Sequence, residues 1–180
     1  MMDWTTEILD FWFDELGTKS WFRANDAVDE QIVERFQELW EEQKSKTASA
    51  FLDTPESALA AIILFDQFPR NMFRGTAEAF ATDHLALQIA TEVVEREYDH
   101  DLTDEQKAFA YMPFMHSEDL KDQTRSLGLF TALGAERNIK IAREHRDIIA
   151  EYGRFPHRNE VLGRETRTEE QAAITQGSNW

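Results

Sequence analysis

The sequence predicts an all-α domain built from antiparallel helical hairpins. Apolar residues recur at the three- and four-residue spacing of amphipathic helices, and no stretch sustains the period-two alternation of a half-buried strand. The 180 residues include only 7 Gly and 4 Pro, so a turn-rich β architecture is disfavoured. The chain is 42% hydrophobic, with 13 Phe and 5 Trp, which is enough to pack one core. We therefore expect residues 1–180 to form a single domain.

The first two helices are predicted from the residues at their ends. The first extends from about Thr5 to Leu16, and Gly17 is the residue type that most often follows a helix. The second begins near Asn25 or Asp26, both of which are favourable N-cap residues. Polar and small residues then predict a connection over 43–53.

The third helix is predicted to be the centre of the fold. Thr54 supplies an N-cap, and Pro55 occupies the first helical position. Residues 58–65 are all apolar, and a helix that is apolar all round is buried on every side. Because proline disfavours helical geometry in the residue before it, Pro69 predicts that this helix ends by Phe68.

The remaining helices have start or stop signals, and we expect them at roughly 83–98, 103–113, 117–133 and 136–152, with a short last helix from 168. Thr103 opens a capping box, whereas Pro113 should end or kink the helix that follows. Ser117 is the expected N-cap of the next helix. A second capping box begins at Thr168, and the tail from about residue 171 is a candidate for poor order.

Composition excludes several classes of function. With a formal charge of −16, the chain would repel a phosphate backbone and anionic lipid, so neither nucleic acid nor membrane is an expected partner. The absence of cysteine excludes disulfides, thiol catalysis and cysteine-ligated metals. The N-terminus lacks a signal-peptide pattern, and the longest apolar run is too short to cross a bilayer. These observations predict a cytoplasmic protein.

Arginine is the informative residue type in this acidic chain. Arginines cluster in two irregular segments, over 70–74 and over 154–167. If the segments meet, their guanidinium groups would form a cationic pocket for a small anion or a peptide carboxylate. The predicted ligand-binding residues are Asp66, Arg70, Asn71, Arg74, His116, His157, Arg158, Asn159 and Arg164. The alternative is structural, with the arginines capping helix ends and pairing with acids such as Asp66, Glu118 or Asp119.

Histidine and carboxylate residues suggest a second kind of site. His116 or His157 could act as a general acid–base, oriented by Glu118 or Asp119, as in a hydrolase. No two histidines have the spacing of metal ligands on one helix face, so no metal is predicted. Nucleophile elbows and glycine-rich phosphate loops are also absent from the sequence.

Three ordered blocks and two early Trp-Phe pairs carry a family resemblance. The blocks are 66–71 (Asp-Gln-Phe-Pro-Arg-Asn) with 73–76, 79–81 and Asp83; 113–119 (Pro-Phe-Met-His-Ser-Glu-Asp); and 152–159 (Tyr-Gly-Arg-Phe-Pro-His-Arg-Asn) with 162–165. Together they resemble the bacterial family known as domain of unknown function 924. The resemblance covers nearly the whole chain and implies helical hairpins of the tetratricopeptide-like kind. It implies no activity, cofactor or catalytic residue.

Three functions remain open from the sequence. The chain could be a binding module for a small anion or a peptide carboxylate, or a hydrolase-like enzyme. It could also be a protein-interaction scaffold whose motif arginines are structural. The cofactor, the oligomeric state and the reaction, if there is one, are not determined by the residues.

Overall fold

The computed structural model describes residues 3–17, 21 and 25–175. Its α-helices are α1 (Trp4–Leu9), α2 (Asp26–Gln43), α3 (Pro55–Ile62), α4 (Phe68–Met72), α5 (Asp83–Glu95), α6 (Asp104–His116), α7 (Leu120–Leu133), α8 (Glu136–Tyr152) and α9 (Gln171–Thr175). Short 3₁₀ turns lie at Ala48–Phe51, Ala77–Phe80, Tyr98–Asp101, Pro156–Arg158 and Thr168–Glu170. These residues contain no strand, so the all-α prediction is confirmed.

Helix starts agree with the local sequence signals. Asn25 caps α2 by accepting the N–H of Ala27, and Thr54 and Thr103 each form a reciprocal capping box at the starts of α3 and α6. Gly17 has a φ of 62° after the first helical segment, as expected for a residue that ends a helix.

The prediction that the third helix ends by Phe68 is wrong. Helix α3 continues as the π-helical turn Ile63–Gln67 and then directly as α4. The N–H of Phe68 donates to the carbonyl of Ile63, five residues earlier, and Pro69 falls in the first turn of α4. Because proline has no N–H to place there, the wider turn lets the helical path pass through it. Asp66 and Arg70 consequently lie on one continuous helical segment.

Three other predicted boundaries shift. Pro113 does not end α6, which continues to His116. Asp119 rather than Ser117 caps α7, since its carboxylate accepts the N–H of Lys121. The predicted fourth helix stops at Glu95, because Glu97 adopts a left-handed conformation with a φ of 60°.

The last capping box also differs from the prediction. Thr168 begins a 3₁₀ turn instead of capping a helix, and the carboxylate of Glu170 accepts the N–H of Arg167. The described part of the tail forms α9, and residues 176–180 lie outside the described residues.

The helical run formed by α3 and α4 is the centre of the core, as the sequence predicts. Every residue from 58 to 69 is buried. Phe68 packs against Phe36 of α2, with ring centroids 4.7 Å apart, and Phe11 lies 5.2 Å from Phe36. Around this centre, α3 contacts α1, α5 and α6, and α7 packs between α6 and α8.

The short connections between α6, α7 and α8 fit successive antiparallel hairpins. Among the described helices, none has both the length and the apolar character needed to cross a bilayer.

Candidate functional site

A polar cluster forms where α3, α4, α5 and α6 meet the segment that follows α8. Asp66 and Arg70 come from the central helical run, Asp83 from the first turn of α5 and His116 from the last turn of α6. Arg158 enters from the 3₁₀ turn after α8. The structure therefore brings one arginine of the first sequence block, Arg70, and one of the third, Arg158, to the same carboxylate, Asp83. We call these five residues the Asp83 cluster.

Asp66 is a fully buried acceptor at the base of the cluster. Its Oδ1 lies 2.7 Å from Nδ1 of His116 and 3.5 Å from Nη1 of Arg70, and its Oδ2 accepts from the side-chain amide of Gln67. Burial alone would raise the pKa of Asp66, but the charge of Arg70 and the charge and hydrogen bond of His116 lower it to about 2. Asp66 is therefore ionised at neutral pH.

His116 is held in one tautomer by this contact. An ionised carboxylate only accepts hydrogen bonds, so Nδ1 of His116 carries the hydrogen and Nε2 has a free lone pair. Burial and the positive charge of Arg70 lower the pKa of His116, although Asp66 opposes the shift. The side chain of His116 is 15% exposed. The neutral ring is therefore accessible and able to accept a proton or a hydrogen bond.

Both terminal nitrogens of Arg70 are occupied by protein acceptors. Its two terminal nitrogens donate to the two carboxylate oxygens of Asp83 at 2.7 and 3.0 Å. Nη1 also donates to the backbone carbonyl of Asp66. The bidentate geometry is the strong form of an arginine–carboxylate pair, which gives Arg70 a structural role in the cluster.

Arg158 is the exception among the motif arginines. Only 8% of the residue is exposed, and Nε finds no hydrogen-bond acceptor among the described residues. The nearest carboxylate is Asp83, whose Oδ2 lies 3.6 Å from Nη1 and already accepts from Arg70. The guanidinium carbon lies 4.6 Å from the ring centroids of both Phe80 and Phe155. Burial and the charge of Arg70 lower the pKa of Arg158 to about 10.

Asn71 and Arg74 join α4 to α2. Asn71 donates to Asp29 at 2.7 Å, and Arg74 binds the same carboxylate through Nε and Nη2, both at 3.0 Å. Since one carboxylate satisfies both side chains, their observed contacts match the structural interpretation.

Glu118 and Arg164 form a second bidentate pair. The two distances are 2.7 and 3.0 Å, and Glu118 also accepts the N–H of Phe155. Arg164 further donates to the side chain of Asn159. Glu118 therefore fixes the path of the segment after α8, and the carboxylate that orients His116 is Asp66 rather than Glu118. Asp119 is also occupied elsewhere, as the cap of α7.

Glu170, which the sequence did not single out, is the centre of a third polar group. It is fully buried and accepts from Arg154, Arg167 and Asn159 at 2.7 to 3.0 Å. Hydrogen bonds from Arg154 lower the pKa of Glu170 to about 2. On the solvent side, Arg154, Arg164 and Arg167 line an open depression of about 680 Å³. All three have carboxylate partners, so the depression is not an unbalanced cationic surface.

The other two histidines near Arg158 are neutral at physiological pH. His157 lies 5.6 Å from the ring of Phe155, and burial and the charge of Arg158 lower its pKa to about 4. His145 is 2% exposed, donates from Nδ1 to the carbonyl of Ile141 and has a pKa lowered to about 3 by burial. No described group of three or more histidine and acidic side chains is arranged to hold a metal ion.

Sequence analysis missed Asp83, Phe80 and His145 as members of this region. Asp83 belongs to the first block, but a carboxylate in the first turn of a helix is explained by the helix dipole alone. Phe80 lies in a short apolar stretch between two predicted helices, and His145 lies within the predicted helix 136–152; neither position gives a sign of the polar groups beside it. Only the charge of Asp83, three residues after Phe80 and within the arginine-containing block, was an available signal.

Comparison with known proteins gives the family. The profile of a bacterial protein family of unknown function, DUF924, matches residues 8–178. The solved structure of a protein of unknown function, ATU0120 from Agrobacterium tumefaciens, is 40% identical and superposes with a TM-score of 0.90, covering 96% of this chain and 97% of that one. No curated protein matches the chain. The chain therefore belongs to the bacterial DUF924 family, as its three sequence blocks and helical fold indicated.

Proposed function

We propose that this protein binds a small anion, through a carboxylate or phosphate group, at the guanidinium of Arg158. The observation that carries the proposal is the state of that guanidinium. It is a buried cation that makes no hydrogen bond to a described side chain, and it shares its nearest carboxylate with another arginine.

The contrast with the neighbouring arginines supports an anion as the missing partner. Arg70 and Arg164 each have a bidentate carboxylate at 2.7 and 3.0 Å, which is the usual arrangement of a structural arginine. A buried polar group without its hydrogen bonds costs roughly 1–3 kcal/mol, and more when it is charged. A ligand oxygen that accepts a hydrogen bond from Arg158 would remove this cost. Relief of the cost would then contribute to the free energy of binding.

The aromatic neighbours restrict how a ligand can approach. The rings of Phe80 and Phe155 lie against Arg158 at 4.6 Å, and such contacts favour the faces of a guanidinium. Its edge is then left for hydrogen bonding, and the planar edge matches the two oxygens of a carboxylate or phosphate group. With so little of Arg158 exposed, the site suits a small anion better than a peptide chain.

The local charge does not oppose an anion, despite the acidic chain. Arg70 and Arg158 balance Asp66 and Asp83, and His116 is neutral. Near Arg158 the four charges therefore sum to zero, whereas the whole chain carries −16. The Asp83 cluster is a neutral region in an anionic protein, and this reduces the repulsion that an anionic ligand would meet there.

The proposal is tested by thermal unfolding in the presence of phosphate and small carboxylates. A ligand at about one hundred times its dissociation constant stabilises the folded state by roughly 2.7 kcal/mol, so the unfolding midpoint should rise. The variant Arg158→Gln should lose this response. Arg96→Gln is the matched control, because Arg96 is 44% exposed and its partners among the described residues are Glu92 of its own helix turn and the ring of Tyr98. A response in Arg158→Gln equal to that of the wild type would rule the site out.

A second candidate function is hydrolysis, favoured by the 2.7 Å contact between Asp66 and His116. The neutral ring could take a proton from water at Nε2 as the water oxygen attacks an ester carbonyl, and return it to the departing alkoxide. Hydrolysis of simple nitrophenyl esters tests this candidate. We expect His116→Gln to abolish the rate if it is correct, and equal rates in both proteins would contradict it.

The scaffold alternative stays a prediction. Among the described large hydrophobic residues, Val33 and Leu120 are exposed, at 37% and 47%. Trp21, Phe109 and Met112 line a depression of about 270 Å³, which is the size of a side chain rather than of a partner helix. These features give less support to a docking surface than Arg158 gives to an anion site.

A further inference from the structure

We propose that the depression beside Trp21 binds a free amino acid with one large apolar side chain. This second site is separate from Arg158 and does not depend on the proposed function. The depression has a volume of about 270 Å³, close to the lower end of the roughly 300–1,000 Å³ of small-molecule sites. We call it the Trp21 pocket, and the lining residues that indicate its ligand are Trp21, Glu105, Ala108, Phe109, Met112 and Arg137.

Two aromatic rings form an apolar corner in the Trp21 pocket. The ring centroids of Trp21 and Phe109 lie 4.8 Å apart, and the two ring planes meet at 83°. Met112 is buried about one turn further along α6, and the small side chain of Ala108 is half-buried. An apolar side chain of a ligand would be removed from water in this corner, which favours binding.

The Trp21 ring is fixed by its neighbours before a ligand binds. Nε1 of Trp21 donates to the backbone carbonyl of Trp12 at 2.7 Å. The two indole rings are stacked, with centroids 6.3 Å apart and planes 15° from parallel. Phe13 meets the Trp21 ring nearly at right angles, at 5.7 Å. Because the ring is already held in place, less conformational entropy is lost when a ligand packs against it.

Glu105 and Arg137 supply opposite charges to the same pocket. Glu105 lies in the first turn of α6, and its exposed carboxylate has no hydrogen-bond or ion-pair partner among the described residues. Arg137 is exposed in the first turn of α8. The carboxylate can accept from an ammonium group, and the guanidinium can donate to a carboxylate.

A free amino acid matches this combination of groups. It carries an ammonium and a carboxylate on the carbon that also bears its side chain. A simple carboxylate would meet the negative charge of Glu105 without a compensating ammonium, and a simple amine would meet the positive charge of Arg137 without a compensating carboxylate. The apolar corner adds the requirement for a large apolar side chain.

The Trp21 pocket and the Asp83 cluster lie at opposite ends of α6. Glu105 is in the first turn of this helix, and His116 is its last residue. Eleven residues separate them, which is roughly 16 Å along an α-helix. Substitutions at one site can therefore serve as controls for the other.

Titration calorimetry on the wild-type protein tests the ligand class without relying on the folding of a variant. The probe is L-phenylalanine, compared with phenylpropionate, phenylethylamine and glycine, which lack the ammonium, the carboxylate and the side chain. We expect phenylalanine to bind about fivefold more tightly than the first two compounds, the effect of one hydrogen bond. Glycine should bind more than about tenfold more weakly than phenylalanine, because it buries no apolar side chain.

Variants of the lining residues place the ligand. Ala108→Phe should abolish binding of phenylalanine by filling the pocket. Glu105→Gln should weaken binding of phenylalanine and leave that of phenylpropionate unchanged. Glu42→Gln is the matched control, because Glu42 is an exposed carboxylate on α2, outside the pocket. Arg158→Gln should retain full affinity for phenylalanine.

Three results would overturn the inference. The first is no binding of phenylalanine to the wild-type protein. The second is equal affinity for phenylalanine and either singly charged analogue. The third is loss of phenylalanine binding in Arg158→Gln with full binding in Ala108→Phe, which would assign the amino acid to the Arg158 site. None of the three bears on phosphate binding at Arg158, so the proposed function is tested separately.

Discussion

Arg70 and Arg158 show how two residues of one type take different roles beside a single carboxylate. Both approach Asp83, but only Arg70 obtains two short hydrogen bonds from it. Arg158 lies between the rings of Phe80 and Phe155, 3.6 Å from Oδ2 of Asp83, and its Nε has no hydrogen-bond acceptor among the described residues. In measurements of the free energy of unfolding, Arg70 should therefore behave as a structural residue, and Arg158 should behave as a ligand-binding residue.

Methionine at each position tests this distinction, because it keeps most of the side-chain length without the charge. We expect Arg70→Met to lower the free energy of unfolding by about 2–3 kcal/mol, since it removes both short hydrogen bonds to Asp83 and the cation nearest to the buried Asp66. Arg158→Met should leave the free energy unchanged or raise it, because binding sites store unfavourable electrostatics. Urea titrations give both values. Equal destabilisation by the two substitutions would show that Arg158 is structural.

Buried neutral histidine makes stability depend on pH. The pKa of His145 is about 3 in the folded protein and about 6.5 in an unfolded chain. Below pH 6.5 the unfolded state therefore binds more protons, and stability falls by up to about 1.4 kcal/mol per pH unit for this group. Urea unfolding at several pH values between 7 and 5 should show this fall in the free energy of unfolding. It should be smaller in His145→Phe and unchanged in His100→Phe, whereas parallel curves for all three proteins would contradict the assignment.

The sequence was informative about which residues carry the polar chemistry and uninformative about their partners. Arg70 and Arg158 stand out because arginines cluster in two irregular segments of an acidic chain, and His116 stands out because Glu118 and Asp119 follow it closely. Their carboxylate partners could not be chosen, since 35 acidic residues were available and partner choice depends on the packing of distant helices. Glu118 is the acidic residue nearest to His116 in the sequence, but in the structure it pairs with Arg164 instead.

At the scale of the helices, the capping signals at Asn25, Thr54 and Thr103 succeeded, whereas Pro69 and Pro113 did not end their helices. The caps at Asn25, Thr54 and Thr103 act within a few residues, so sequence alone determines them. Pro69 and Pro113 lie in segments where tertiary packing of buried residues outweighs the loss of one hydrogen bond. A local rule therefore fails where the whole core requires the helix to continue.

The joint between α6 and α7 depends on one buried amide. Gln123 is completely enclosed, and its Nε2 donates to the carbonyls of Met115 and Ser117, on either side of His116. We expect Gln123→Ala to destabilise the fold by about 2–3 kcal/mol, because two carbonyls lose a donor. Gln88→Ala, at an exposed position of α5, is the control in the same unfolding assay. Similar midpoints for the two variants would show that the joint does not need this amide.

Across the whole molecule, Glu170 joins the last described segment to the rest of the fold. Its carboxylate receives Arg154 from the end of α8 and Asn159 from the turn after it, together with Arg167. These contacts hold the chain near residue 170 in place, whereas the sequence indicated only a capping box and a short helix there. The prediction of poor order from about residue 171 is untested for residues 176–180, which lie outside the described part of the chain.

Limited proteolysis tests this attachment. In Glu170→Ala the arginines at 154 and 167 lose their shared acceptor, and the segment between them should open more often. We expect trypsin to cleave at Arg164 or Arg167 about tenfold faster than in the wild type, since cleavage follows the population of the open form. Glu169→Ala is the matched control, because that exposed carboxylate lies 3.9 Å from Arg167 and has no buried role. Equal cleavage of the two variants would contradict the attachment.

The π-helical turn at Ile63–Gln67 makes the site sensitive to the length of the chain as well as to its residues. Such a turn holds one residue more than the α-helical turn it replaces. Deleting a single residue there would restore ordinary helical geometry and rotate the two flanking segments by about 100° relative to each other. After that rotation, the apolar stretch before the turn could not face the core at the same time as Asp66 faces His116. A family member with a one-residue gap at this place should have lost the Asp66–His116 contact even where every motif residue is kept.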